Sequence, residues 1–180
     1  MNWIRWPVLL LCAAGLIGAA TRATADASAD VARLSKAGQT EAALALVDEA
    51  LAATPRDPQL RFRKGVLLAE ARRDAEAIAV FTQLNEEYPE LAEPYNNLAV
   101  LYAGQGDYDK ARAALEAAVR SNPAYATAYE NLGDVYLRLA ARAYERAQAL
   151  DAGRSALAPK VVQLKSLVPD RPAVAGGKAP

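Results

Sequence analysis

Side chains suited to covalent or acid–base chemistry are scarce in this chain. It has no histidine and one cysteine, Cys12. The usual near-neutral base, a second thiol and the ordinary transition-metal ligands are therefore missing. Glu86 and Glu87 could act as an acid and a base, but they end a helical run just before Pro89 and read as a solvated helix end. No glycine-rich phosphate loop, Gly-x-Ser-x-Gly turn or calcium loop occurs. No catalytic residue, cofactor site or metal site is assigned. Recognition chemistry is better represented. Arg63, Asn97 and Asn131 recur 34 residues apart, flanked by a column of Phe62, Asn96 and Glu130 and another of Val66, Val100 and Asp134. An amide both donates and accepts hydrogen bonds, so a ladder of amides can hold a polypeptide backbone largely independently of its side chains.

The same period runs through residues that build structure. Pro55, Pro89 and Pro123 keep the 34-residue step, as do Ala43, Ala77 and Ala111. Val47, Phe81 and Leu115 fill one apolar column, and Ala50, Leu84 and Ala118 another. Gly38 and Gly106 share a turn column with Arg72 between them. A fixed step of this length is the mark of stacked helix-turn-helix units. Four rows follow, at about 24–57, 58–91, 92–125 and 126–151. Row one has a short first helix with Ala27 and Asp30 at its apolar columns, which suits a terminal repeat facing water. In row two Asp57 is a natural N-cap before Pro58, Asp74 is expected to cap the second helix, and Gly65 should let the partner helix approach closely. Arg61 and Lys64 replace the aromatic and leucine expected there. Row four has no glycine turn after Tyr136, and Leu132, Tyr136, Leu139, Ala143, Ala147 and Leu150 run on by threes and fours, so its two helices are expected to fuse. Gly153 should end that helix. Pro159 should begin a capping helix, 156–168, that buries Val161, Val162, Leu164, Leu167 and Val168.

The third row resembles the tetratricopeptide repeat. Tyr95, Leu98, Ala99, Tyr102, Gly106, Tyr108, Ala111, Leu115, Ala118 and Pro123 match the family pattern in order and spacing. The resemblance implies an all-α fold, an α-solenoid of stacked antiparallel helix pairs wound into a short right-handed superhelix. It also implies that first helices line a concave groove, where the asparagine column faces an extended peptide. Peptide-groove candidates are thus Arg63, Asn97, Asn131, Phe62, Asn96 and Glu130, with Asn97 and Asn131 expected outside the core. Tyr95, Tyr102, Tyr129 and Tyr136 are expected in interhelical packing. The lysine-rich clamp by which some relatives hold a free C-terminus is not reproduced. The partner is expected to be a protein or peptide, and self-association of the repeats is the alternative.

Basic and acidic residues balance at 21 each, so no global field favours nucleic acid. Residues 1–25 read as a secretory signal: Arg5, an apolar run from Val8 to Ala20, then Ala23-Thr24-Ala25 before Asp26. Leu9, Leu10 and Leu11 before Cys12 do not suit lipid attachment. Cleavage after Ala25 would leave no stable membrane anchor, and place a repeat domain of 26–168 with a flexible tail, 169–180, in the periplasm or otherwise outside the cytoplasm.

Overall fold

The computed structural model describes residues 29–151 and 153–168. The expected signal segment and C-terminal tail lie outside the described residues. The chain is all-α, with no strand among the described residues, and divides into two compact units at Arg56 and Asp57.

The first unit contains α1 (29–36) and α2 (Thr40–Ala53), with Val31 on the first and Ala43, Leu44 and Val47 on the second buried. The second unit contains α3 (Pro58–Glu70), α4 (Asp74–Glu87), α5 (Ala92–Gly104), α6 (Tyr108–Ser121), α7 (Ala126–Leu150) and α8 (Ala158–Leu167), the last entered through a 3-10 turn. Each of these helices packs on the next, and α5 also touches both α3 and α7. The stack of antiparallel pairs is an α-solenoid.

The repeat is a period of backbone geometry as well as of sequence. First helices begin at Pro58, Ala92 and Ala126, and second helices at Thr40, Asp74 and Tyr108, each 34 residues on from the last. Within a pair the turn is closed by one left-handed residue: Gly38 at φ +70°, Arg72 at +63° and Gly106 at +76°. In each turn the next residue's N–H returns to a carbonyl in the last helical turn: Gln39 to Leu34, Arg73 to Leu68 and Asp107 to Tyr102, all at 2.9 Å. These bonds satisfy carbonyls that the helix end would otherwise leave open. The second helices end alike, with Thr54, Tyr88 and Asn122 N–H groups bonded to the carbonyls of Ala50, Leu84 and Ala118.

The alanine column marks where the helices of a pair touch, and Ala43, Ala77 and Ala111 are all fully buried. Phe81 and Leu115 pack beside it, and Ala118, Ala128, Leu132 and Val135 extend the core toward α7. Gly65 does what its column requires: a Cβ there would sit 2.6 Å from Phe81 Cε1. Arg61, where an aromatic was expected, instead ties α3 to α4 by donating from Nη1 and Nη2 to the two carboxylate oxygens of Glu87 at 2.7 and 3.0 Å. That pair also accounts for one of the adjacent carboxylates before Pro89.

Row four is one helix of 25 residues, α7. Its turn position holds Ala140 amid strong helix formers, without the glycine that rows one and three place there, and the helix continues. Fusion removes the second helix that would have covered Tyr129 and Tyr136. The expectation that these tyrosines pack between helices is therefore corrected: they are 51% and 48% exposed, whereas Tyr95 and Tyr102 of row three are partly buried against the core. Gly133 likewise meets nothing within 4 Å. Arg142 fastens the added length by donating to the Gly106 carbonyl at 2.7 Å while lying over the Tyr108 ring.

Three smaller expectations change. Asp74 is the first residue of α4, following Arg73 at the cap position, so its carboxylate meets the positive helix end without capping it. α7 ends at Leu150, before Gly153, and α8 packs against α7. Val162 and Leu167 of α8 are exposed, leaving Val161 and Val168 as its buried contacts. Asp57 caps α3 as expected, accepting from the N–H groups of Gln59 and Leu60 at 2.9 and 3.1 Å.

Candidate functional site

The first helices of the second unit, α3, α5 and α7, carry every groove candidate. Arg63 on α3 is half-buried. Its neighbour Phe62 is only 7% exposed and packs its ring against Phe81, with centroids 5.7 Å apart. Phe62 is thus a core residue, and its place in the groove set is corrected: at this register the side chain turns toward the second helix of its own pair.

On α5 the two amides are buried. Asn96 is 0% and Asn97 1% exposed, against the expectation that Asn97 lies outside the core. The reason is position in the stack: α5 is the middle first helix, flanked by α3 and α7 and backed by α4 and α6. Among the described residues Asn97 Nδ2 and Oδ1 and Asn96 Nδ2 have no hydrogen-bond partner. Asn131 on α7 is partly buried and donates from Nδ2 to Asn96 Oδ1 at 2.8 Å, joining the two polar columns across neighbouring repeats. Glu130 beside it is exposed. Of the six candidates, then, Asn96 and Asn131 are in contact, Asn97 adjoins Asn96 on the same helix, Arg63 is half-buried on α3, Glu130 is at the surface, and Phe62 belongs to the core.

Further along α7, Arg138 joins Glu130 and Asp134, although it falls in none of the 34-residue columns. Glu130, Asp134 and Arg138 follow one another at four-residue steps and share a helix face. Burial, then the negative charge of Glu130, raises the Asp134 carboxyl above its ordinary range, against a smaller opposing pull from Arg138. Asn131, Asp134, Val135 and Arg138 line a small cavity of about 30 Å³ with Val100 of α5 and Val168 beyond α8. The four-residue step was visible in the sequence; the arrival of Val168 was not.

A second, more open groove of about 420 Å³ lies between α4 and α6, with Tyr95, Leu98 and Tyr102 of α5 and small residues Ala113, Ala114 and Ala117 of α6 along it. It is largely apolar, and Asn85 at its edge keeps both side-chain polar atoms unpartnered.

Among the described residues no group of histidine, cysteine, aspartate or glutamate is placed to hold a metal ion, and no helix is long and apolar enough to cross a membrane. Helix pairs stacked in this way define a helical-repeat scaffold for protein interaction. Models of the tetratricopeptide repeat match residues 68–122, and residues 32–92 together with 96–159. The chain belongs to the tetratricopeptide repeat family. It is 38% identical over 84 residues to the tetratricopeptide repeat domain-containing protein PYG7, chloroplastic, of Arabidopsis thaliana, a match that covers 44% of this chain and 28% of that protein. Among solved structures it is similar to a MamA protein, with a TM-score of 0.58 at 20% identity over 81% of this chain and 82% of that one. A MamA RS-1 double mutant gives a TM-score of 0.58 at 22% identity, over 81% and 96% of the two chains. MamA from Desulfovibrio magneticus RS-1 gives 0.53 at 20%, over 76% and 71%. At these identities the likeness is one of fold.

Proposed function

We propose that the chain is a non-catalytic adaptor that holds an extended segment of a partner protein along the α3, α5 and α7 face. The observation that carries this reading is Asn97: an amide with both polar atoms buried and unpartnered, next to the Asn96–Asn131 bond. Leaving a buried polar group unsatisfied costs about 1–3 kcal/mol. Because Asn97 is only 1% exposed, a partner backbone reaches the amide only if α3 or α7 moves away from α5, and it would then supply both an N–H and a carbonyl.

This reading makes a stability–function trade the diagnostic. Asn97→Leu keeps approximate shape and removes the unsatisfied group, so the free protein should melt at the same or a higher temperature. Partner capture should fall several-fold, and fall likewise for Asn131→Ala. If both variants capture partner as the parent does, the amides are structural only and the binding site lies elsewhere. The adaptor is proposed to work outside the cytoplasm, in cell-envelope assembly, on the strength of residues 1–25; intact mass of the exported protein should correspond to a chain starting at Asp26, and retention of Met1 would contradict it.

A second reading, self-association of the repeats, is favoured by the exposed Tyr129 and Tyr136 on α7. Sedimentation at rising concentration separates the two: a mass that stays monomeric counts against self-association.

A further inference from the structure

Val168 is unusual for its place in the chain. It follows the last residue of α8, in extended backbone at φ −109° and ψ 127°, and Leu167 before it is 60% exposed. Yet Val168 is only 7% exposed. Its side chain lines the same cavity as Val100, Val135, Asn131 and Asp134, and its carbonyl accepts from Arg138 Nη2 at 3.3 Å. One residue in strand conformation thus places an aliphatic side chain between α5 and α7 while its backbone is held by a side chain of α7.

We propose that Val100, Val135, Asn131 and Arg138 form a recognition pocket for one aliphatic residue of an extended peptide, and that Val168 is its resident occupant, displaced when a partner binds. The proposal deepens the adaptor reading and rests on it, because the pocket lies on the same first-helix face as the asparagines. Valine does not fill the site: about 30 Å³ remains, room for roughly one water or one further carbon. The pocket should therefore prefer isoleucine or leucine to valine, and Asp134 with Glu130 beside it should reject an acidic side chain. A tethered occupant competes at an effective concentration on the order of millimolar, so the segment carrying Val168 sets a threshold that a partner must exceed.

The test uses fluorescein-labelled peptides copying residues 164–173, with valine, isoleucine or aspartate at the position of Val168, read by fluorescence anisotropy against full-length protein. The parent should bind the isoleucine peptide weakly. Val168→Asp should bind it at least tenfold more tightly, in the order isoleucine, valine, aspartate, and adding Arg138→Met to that variant should reverse most of the gain. Helicity by circular dichroism verifies that the variants fold, and Val168→Ala, a milder opening of the site, should give a smaller gain of the same sign. Equal binding of the isoleucine and aspartate peptides, or no gain in either Val168 variant, overturns the pocket. That outcome leaves the adaptor reading untouched, because its own test, partner capture by the Asn97 and Asn131 variants, does not involve Val168.

Discussion

Gly65→Ala is the sharpest single perturbation of the repeat stack, because two effects of opposite sign meet there. In an exposed helix interior the change would stabilise by about 0.5–1 kcal/mol, through the lower backbone entropy of alanine. Here the new methyl would lie 2.6 Å from Phe81 Cε1, 2.7 Å from Cζ and 3.0 Å from Cδ1. Carbon atoms settle at about 3.5–4.0 Å, so the ring must retreat by roughly 1 Å. Phe81 is fully buried and already meets Phe62, which leaves it little room to move. Overpacking of this kind costs about 1–3 kcal/mol, so the net loss should be about 1 kcal/mol and the melting temperature should drop by several degrees. Phe81→Leu alone should also destabilise, by removing buried ring atoms. Combined, the two should cost less than their sum, since leucine vacates the space that the methyl needs, and the double-mutant cycle should show coupling of about 1 kcal/mol. Thermal denaturation of all four proteins followed by circular dichroism measures this. A Gly65→Ala protein that melts above the parent, or a cycle with no coupling, would show that α3 and α4 do not approach through this glycine.

Other expectations follow from the same geometry. Ala111→Leu should cost about 1–3 kcal/mol by overpacking the fully buried contact of α5 and α6, visible as a lowered denaturant midpoint. Gly106→Ala should destabilise by about 1 kcal/mol, although a Cβ there meets nothing within 4 Å, because the left-handed conformation alone is penalised. Arg72→Gly relieves the same strain and should be neutral or slightly stabilising; a clear loss would mean that the Arg72 side chain contributes more than its backbone costs. Asp134 has a raised pKa in the folded state, so the folded protein binds the proton more tightly than the unfolded chain, and stability falls as pH rises through the window just above the ordinary carboxylate value of 3.8. Asp134→Asn should therefore melt higher relative to the parent at pH 7 than at pH 4, and an equal difference at both would refute the assignment.

Much of this architecture could be read from the 34-residue step, because every turn repeats the same local physics. Gly38, Arg72 and Gly106 fall where a helix must reverse through a left-handed residue, and the alanine column falls where two helices touch. The fused α7 followed from the lack of a glycine near Ala140 and from apolar residues that run on by threes and fours. What a column cannot convey is how many neighbours surround its helix. Asn97 and Asn131 occupy equivalent positions, yet one is in the middle of the stack and the other near its end, so one is buried and the other only partly. Tyr129 and Tyr136 are exposed for a related reason, since the helix that covers Tyr95 and Tyr102 has no counterpart in row four. Val168 reaches the α5–α7 cavity across 30 residues from Arg138, a contact that no periodic pattern contains.

Site-directed photocrosslinking in cells that produce the protein addresses the central claim most directly. A benzophenone amino acid at Glu130 or Asp134, on the first-helix face, is compared with the same group at Ala113 or Arg120, exposed on α6. If an extended partner segment lies along α3, α5 and α7, the first pair should yield one adduct of common mass, lost with Asn97→Leu, and the second pair should yield none. Adducts from Ala113 or Arg120 alone would place the partner on the second-helix side and contradict the account.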